Sequence, residues 1–96
     1  MKINTSVIYK YMKLCPASTS KCDSFADIKF KILRAVAIGK IMKAQPLLEI
    51  QYGNLKLNID YKNNKVIDIE KNYKDAYEVS EELKEEFEKE YYYIVV

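Results

Sequence analysis

The sequence predicts an α+β fold in which an antiparallel meander of four to five strands packs against an N-terminal and a C-terminal helix. Three patterns carry that expectation. Residues from Val7 to Cys15 place apolar side chains at helical spacing, residues 48–59 alternate apolar and polar about a Gly-Asn turn, and Leu83, Phe87 and Tyr91 form a four-residue stripe in an acidic run. At 96 residues and 49% hydrophobic, the chain is sized for one folded domain over residues 1–96 and too short for a catalytic domain with a separate substrate domain.

The N-terminal helix rests on Val7, Ile8, Tyr11, Met12 and Cys15 at i, i+1, i+4, i+5 and i+8, with Lys10 and Lys13 on the opposite side. Asn4 or Thr5 caps it and Pro16 stops it. The small polar run Ala17-Ser18-Thr19-Ser20-Lys21 reads as a loop. Residues 25–43 are ambiguous. As a helix, Phe25, Ile28, Phe30, Ile32, Leu33, Val36, Ile38, Ile41 and Met42 surround the whole circumference, which a small domain is not expected to bury. As a strand, Ile28, Phe30 and Ile32 alternate with Lys29 and Lys31, Val36, Ile38 and Met42 keep the parity, and Gly39 offers a bulge. The strand reading is preferred: two strands, or one long bent strand.

From Pro46 the alternation is regular. Leu48, Ile50 and Tyr52 precede Gly53-Asn54, and Leu55, Leu57 and Ile59 follow it. A two-residue turn there pairs Tyr52 with Leu55, Ile50 with Leu57 and Leu48 with Ile59, which puts all six on one face. A three-residue loop, Asn63-Asn64-Lys65, would then pair Tyr61 with Ile67 and Ile59 with Ile69, with an Asn or Lys65 in the left-handed region. Ser80-Glu81-Glu82 starts a helix over about 80–90, in which Leu83, Phe87 and Tyr91 face inward and Glu81, Glu82, Glu85, Glu86 and Glu88 outward. Residues 91–96 are strand formers suited to closing a sheet edge.

Composition excludes several chemistries. Without histidine there is no imidazole base and no zinc site that needs a His ligand. Arg34 is the only arginine, which leaves little for bidentate recognition of phosphates or base edges. Cys15 and Cys22, with six residues between them, fit neither a C-x-x-C redox pair nor a zinc knuckle and are expected to be free thiols. No apolar stretch is long enough to span a membrane, and Met1-Lys2-Ile3-Asn4-Thr5 leads into no signal-peptide core, so a soluble cytoplasmic product is expected, without a membrane partner. No catalytic residue, cofactor or metal is assigned. The abundance of Lys, Ile, Asn and Tyr is the bias of AT-rich codons and suggests a low-GC bacterium or one of its mobile elements.

The net charge of +2 conceals a division. Residues 1–65 carry twelve cations against four acids, a balance of +8, and residues 66–96 carry four lysines against ten acids, a balance of −6. Glu85, Glu86, Glu88 and Glu90 beside Tyr91, Tyr92 and Tyr93 compose an acidic aromatic surface suited to binding a partner. That surface predicts a small non-enzymatic protein-interaction module; a homodimer interface or a covered sheet edge would use the tyrosines equally well. The alternative is nucleic-acid binding through a basic strand face of Lys29, Lys31, Lys40 and Lys43, with Tyr9, Tyr11 or Tyr52 for stacking.

A second alternative is catalytic. Glu49, Asp60 and Lys62 share the polar face of adjacent strands, at a spacing that resembles the acid, acid-x-Lys pattern of the PD-(D/E)xK nuclease superfamily. The stretch from Thr5 to Cys15-Pro16 is similar to the opening helix and Cys-Pro of its RecB-type members. That resemblance implies two carboxylates holding Mg²⁺ and a lysine assisting a water. In size, AT-rich composition and lack of catalytic residues the chain also resembles small accessory proteins of phages and plasmids, such as anti-CRISPR inhibitors of host defence. That likeness implies steric or charge-mimic blocking of a host protein by the acidic C-terminal surface.

Overall fold

The computed structural model describes residues 1–95, and side chains through residue 90. Five strands form one mixed sheet: β1 (Lys2–Ile3), β2 (Lys40–Lys43), β3 (Leu48–Tyr52), β4 (Leu55–Asp60) and β5 (Lys65–Lys71), in the order β1-β5-β4-β3-β2. Strands β2 to β5 are the expected antiparallel meander, and β1 adds a parallel edge to β5, so the sheet is mixed. Four helices complete the described residues: α1 (Thr5–Leu14), α2 (Pro16–Thr19), α3 (Phe25–Ile38) and α4 (Glu81–Val95).

The first hairpin has the register that its alternation dictates: Tyr52 faces Leu55, Ile50 faces Leu57 and Leu48 faces Ile59. Gly53 turns the chain at φ 58°, a left-handed conformation that glycine adopts without steric cost. The second turn differs from expectation. Asp60 pairs with Lys65, so the loop is the four residues 61–64 rather than three, although the left-handed position does fall on an Asn as expected, Asn64 at φ 53°. The Asp60 carboxylate accepts hydrogen bonds from Asn63 Nδ2 (2.6 Å) and Asn63 N (3.3 Å), which hold its pKa below the usual value. Beyond this loop Ile59 meets Val66, and a shift in register sets Leu57 against Ile69. A bulge of this kind, which alternation cannot reveal, buries Val66 and Ile69 together although they are three residues apart.

Helix α1 lies where it was predicted, although the Asn4 side chain at its N-cap makes no capping hydrogen bond; it buries Val7, Ile8 and Tyr11 against the sheet, and Lys10 reaches Asp68 on β5 at 2.9 Å. Pro16 stops α1 and opens another turn, because its fixed φ suits the first helical position, so residues 16–19 form α2 where a loop was expected.

The larger correction concerns residues 25–43. The preferred strands are instead a helix, α3, followed by the short edge strand β2. Ser24 caps α3, its Oγ accepting from Asp27 N at 3.3 Å. Ile28, Ile32 and Ala35 join the sheet-facing core, whereas Phe30 is buried against Phe87 of α4, ring centroids 5.4 Å apart. The apolar residues of α3 divide between two layers, the sheet on one side and α4 on the other, while Phe25 is exposed at the start of the helix and Ile41 and Met42 fall on β2, so no helix has to be covered all round. At Gly39 the chain passes so close to β3 that an added Cβ would stand 2.5 Å from Ile50 Cγ2.

Helix α4 begins as predicted, with Ser80 Oγ accepting from Leu83 N at 3.3 Å. Its inward side differs: Phe87 is buried but Leu83 is exposed. The chain stays helical through Val95, replacing the strand expected from residue 91, of which Val96 lies outside the described residues, since extending an existing helix is easier than nucleating a new element. The segment 72–79 crosses the polar face of the sheet. Gly53 and Tyr77 exchange backbone hydrogen bonds at 2.6 and 2.9 Å. Beneath the segment Gln51 is fully buried, donating from Nε2 to the carbonyls of Gly53 and Asn72 and accepting at Oε1 from Asn72 Nδ2.

Candidate functional site

The predicted partner-binding residues lie on α4. Glu85, Glu86 and Glu90 are exposed, as is Glu82 one turn earlier, and none of the four makes an ion pair among the described residues. Glu88 is exposed as expected but is not unpaired: it accepts from Arg34 Nη1 at 2.8 Å and, with Phe87, fastens α4 to α3. Glu81 lies 3.2 Å from Lys84. The side chains of Tyr91, Tyr92 and Tyr93 lie outside the described residues.

Beside this face runs a groove of about 590 Å³ between α3, α4 and the α2–α3 connection, lined by Asp27, Phe30, Lys31, Arg34, Glu85 and Lys89 among others. Both helices bring both signs, Asp27, Lys31 and Arg34 from α3 and Glu85, Glu88 and Lys89 from α4, so residues of the two charge domains of the sequence meet here. Arg34 also borders a smaller cavity on its other side. There Tyr52 lies under two cations, with Arg34 Cζ 6.0 Å and Lys84 Nζ 5.8 Å from the ring centroid. Arg34, Tyr52 and Lys84 were not among the predicted site residues; the one available signal was that Arg34 is the sole arginine.

The other candidate sets are dispersed or partly engaged. Lys29 and Lys31 sit on α3 while Lys40 and Lys43 sit on β2, so the basic stripe on one strand face does not exist. Lys40 Nζ instead lies 5.9 Å from the Tyr77 ring centroid. Glu49 is 3.9 Å from Lys56, whose ammonium contacts Glu70 at 2.8 Å, and that hydrogen bond raises the Lys56 pKa. Lys62 lies in the β4–β5 turn, beyond the strand whose alternation was to align it with Asp60. Among the described residues no group of three His, Cys, Asp or Glu side chains is placed to hold a metal ion. Cys15 and Cys22 are free thiols, and burial pushes both above the usual pKa, which lowers their thiolate fraction at neutral pH. No described helix is long and apolar enough to cross a membrane.

The chain matches no family model, no curated protein and no solved structure significantly. Functional inference therefore rests on its own surfaces.

Proposed function

We propose that this protein is a non-enzymatic interaction module whose α4 docks its acidic face on a basic surface of another protein, blocking that surface sterically or by charge mimicry. The observation that carries the reading is the contrast between the two sides of α4. One side is committed to the fold through Phe87 and the Arg34–Glu88 pair, while Glu82, Glu85, Glu86 and Glu90 stand exposed without ion pairs among the described residues.

Glu82 with Glu86 and Glu86 with Glu90 are like charges four residues apart, a spacing that destabilises a helix by a few tenths of a kcal/mol per pair. A cationic partner surface relieves that repulsion on docking. The same field draws such a partner in and accelerates association at low ionic strength.

Combined Glu82→Lys, Glu85→Lys and Glu86→Lys substitutions test the reading and spare Glu88, which holds Arg34. Host proteins captured on the immobilised wild-type chain are compared with those captured on the triple variant and on a Lys40→Glu, Lys43→Glu control. The expected result is a basic protein retained by wild type and control and lost by the triple variant, whose circular dichroism is unchanged. Equal capture by the triple variant and the wild type would refute the acidic face as the docking surface.

A further inference from the structure

We propose that the cavity enclosed by α1, α3, the β3–β4 turn and the start of α4 binds a phosphoryl oxyanion. It measures about 240 Å³ and is lined by Lys31 and Arg34 from α3, Lys84 from α4, the Tyr52 ring and Asn54, and no carboxylate residue is among its lining. Three cations thus converge on one small space from two helices.

Two buried polar atoms give the site its chemistry. Arg34 Nε and Tyr52 Oη are both shielded from solvent and lack a hydrogen-bond partner among the described residues. Buried donors are almost always satisfied, because leaving one unpaired forfeits its hydration without return. Both residues line the same cavity, although neither atom is open to it as the side chains stand, so an acceptor-rich ligand there accepts from the two of them once the Tyr52 ring and the guanidinium turn towards it. The guanidinium is held by the bond from Nη1 to Glu88, and Nε is the donor left without a partner among the described residues.

The remaining charges favour an anion of more than one unit. Lys31 makes no ion pair among the described residues, and the partner of Lys84, Glu81, is 81% exposed, where water and salt weaken the attraction. Glu88 offsets Arg34 alone. A phosphoryl dianion matches the surplus better than a single carboxylate, and its several oxygens suit donors arriving from different elements. The volume lies below the roughly 300 Å³ at which pockets for drug-sized ligands begin, so the ligand is inorganic phosphate or the head of a small phosphomonoester. Because Lys84 belongs to α4, occupancy ties that helix to the body of the domain. This site is independent of the acidic docking face.

Calorimetric titration of the full chain at constant ionic strength, with inorganic phosphate in one arm and glycerol 3-phosphate in the other, tests the proposal. Saturable binding is expected, with amide shifts centred on Lys31, Asn54 and Lys84. Lys84→Gln should weaken it about tenfold, the loss typical of one charge-assisted hydrogen bond. Tyr52→Phe removes only the hydroxyl and should weaken it by a smaller but measurable factor. Tighter binding of the monoester identifies an organic phosphate, and equal binding identifies the free ion; either result supports the site. Absence of saturable binding in both arms would overturn the proposal. So would unchanged affinity in folded Lys84→Gln and Tyr52→Phe, or shifts spread evenly over Lys29, Lys40 and Lys43.

Discussion

Gln51 should be the most sensitive polar position in the sheet. It is fully buried, and its amide makes three hydrogen bonds, with Gly53 O (2.9 Å), Asn72 O (2.9 Å) and Asn72 Nδ2 (3.1 Å). Gln51→Met keeps the length of the side chain and deletes all three. Two of the former partners keep another contact, since Gly53 O still accepts from Tyr77 N and Asn72 Nδ2 still reaches Asp75. The Asn72 carbonyl loses its side-chain donor outright. At about 1 kcal/mol per hydrogen bond, the variant should lose about 3 kcal/mol of a total stability of about 5–15 kcal/mol. With a urea m-value of about 1–1.5 kcal/mol/M, the unfolding midpoint should fall by roughly 2–3 M. Amide exchange at Gly53 and Tyr77 should accelerate before the rest of the sheet opens, because the clamp holds residues 72–79 rather than β3 itself. A loss under about 0.5 kcal/mol with the Tyr77 amide as protected as in wild type would refute the clamp, placing the anchorage of this segment elsewhere.

Two further predictions follow from the core. Tyr11 is buried and bonded to Ser18 at 2.8 Å, and burial pushes its phenol up to about 12. The unfolded phenol ionises near 10, so its contribution is intact below pH 10 and is lost as pH rises from 10 towards 12, a penalty on the order of 2 kcal/mol. Tyr11→Phe should flatten that alkaline limb in pH-dependent urea melts and remove one late-titrating tyrosine from the ultraviolet titration; an unaltered limb would exclude Tyr11 as its source. Gly39→Ala should cost more than Gly53→Ala in thermal melts. The first would place Cβ 2.5 Å from Ile50 Cγ2 and 2.6 Å from Ala35 O, an overpacking cost of about 1–3 kcal/mol, whereas the second has open space and meets only the roughly 1 kcal/mol strain of a left-handed φ. The reverse order would refute the close approach at the α3–β2 junction.

The parts of the fold legible in the sequence are those where two local signals agree. Leu48 to Ile59 carry alternation and a turn dipeptide that demand the same register, and α1 carries helical spacing bounded by Asn4 and Pro16. Other features depend on elements distant in sequence. Gln51 has the parity of a solvent-facing residue and becomes buried because residues 72–79 cross over it, a placement with no local signature. The second hairpin contains a bulge that exchanges Ile67 for Val66 in the core, an irregularity that strict period-two reading excludes. For α3, the helix did not need covering all round: it ends at Ile38 and leaves Phe25 exposed, and α4, some 50 residues later, supplies a second covering layer for Phe30.

The reassignment of α3 also creates the candidate anion site. Residues 31 and 34 are an odd number apart, so a strand would send Lys31 and Arg34 to opposite faces and leave neither beside the other. A helix brings positions i and i+3 to one side, and there both line the cavity that Tyr52 and Lys84 complete. The same turn of helix sets Phe30 four residues before Arg34, which lets one face of α3 hold Phe87 and Glu88 of α4 at once. A single arginine looks insufficient when counted in the composition. Its position alters that judgement: the apolar and ionic contacts that seat α4 also orient the one guanidinium in the chain, so docking the acidic helix and forming the cationic pocket are one structural event.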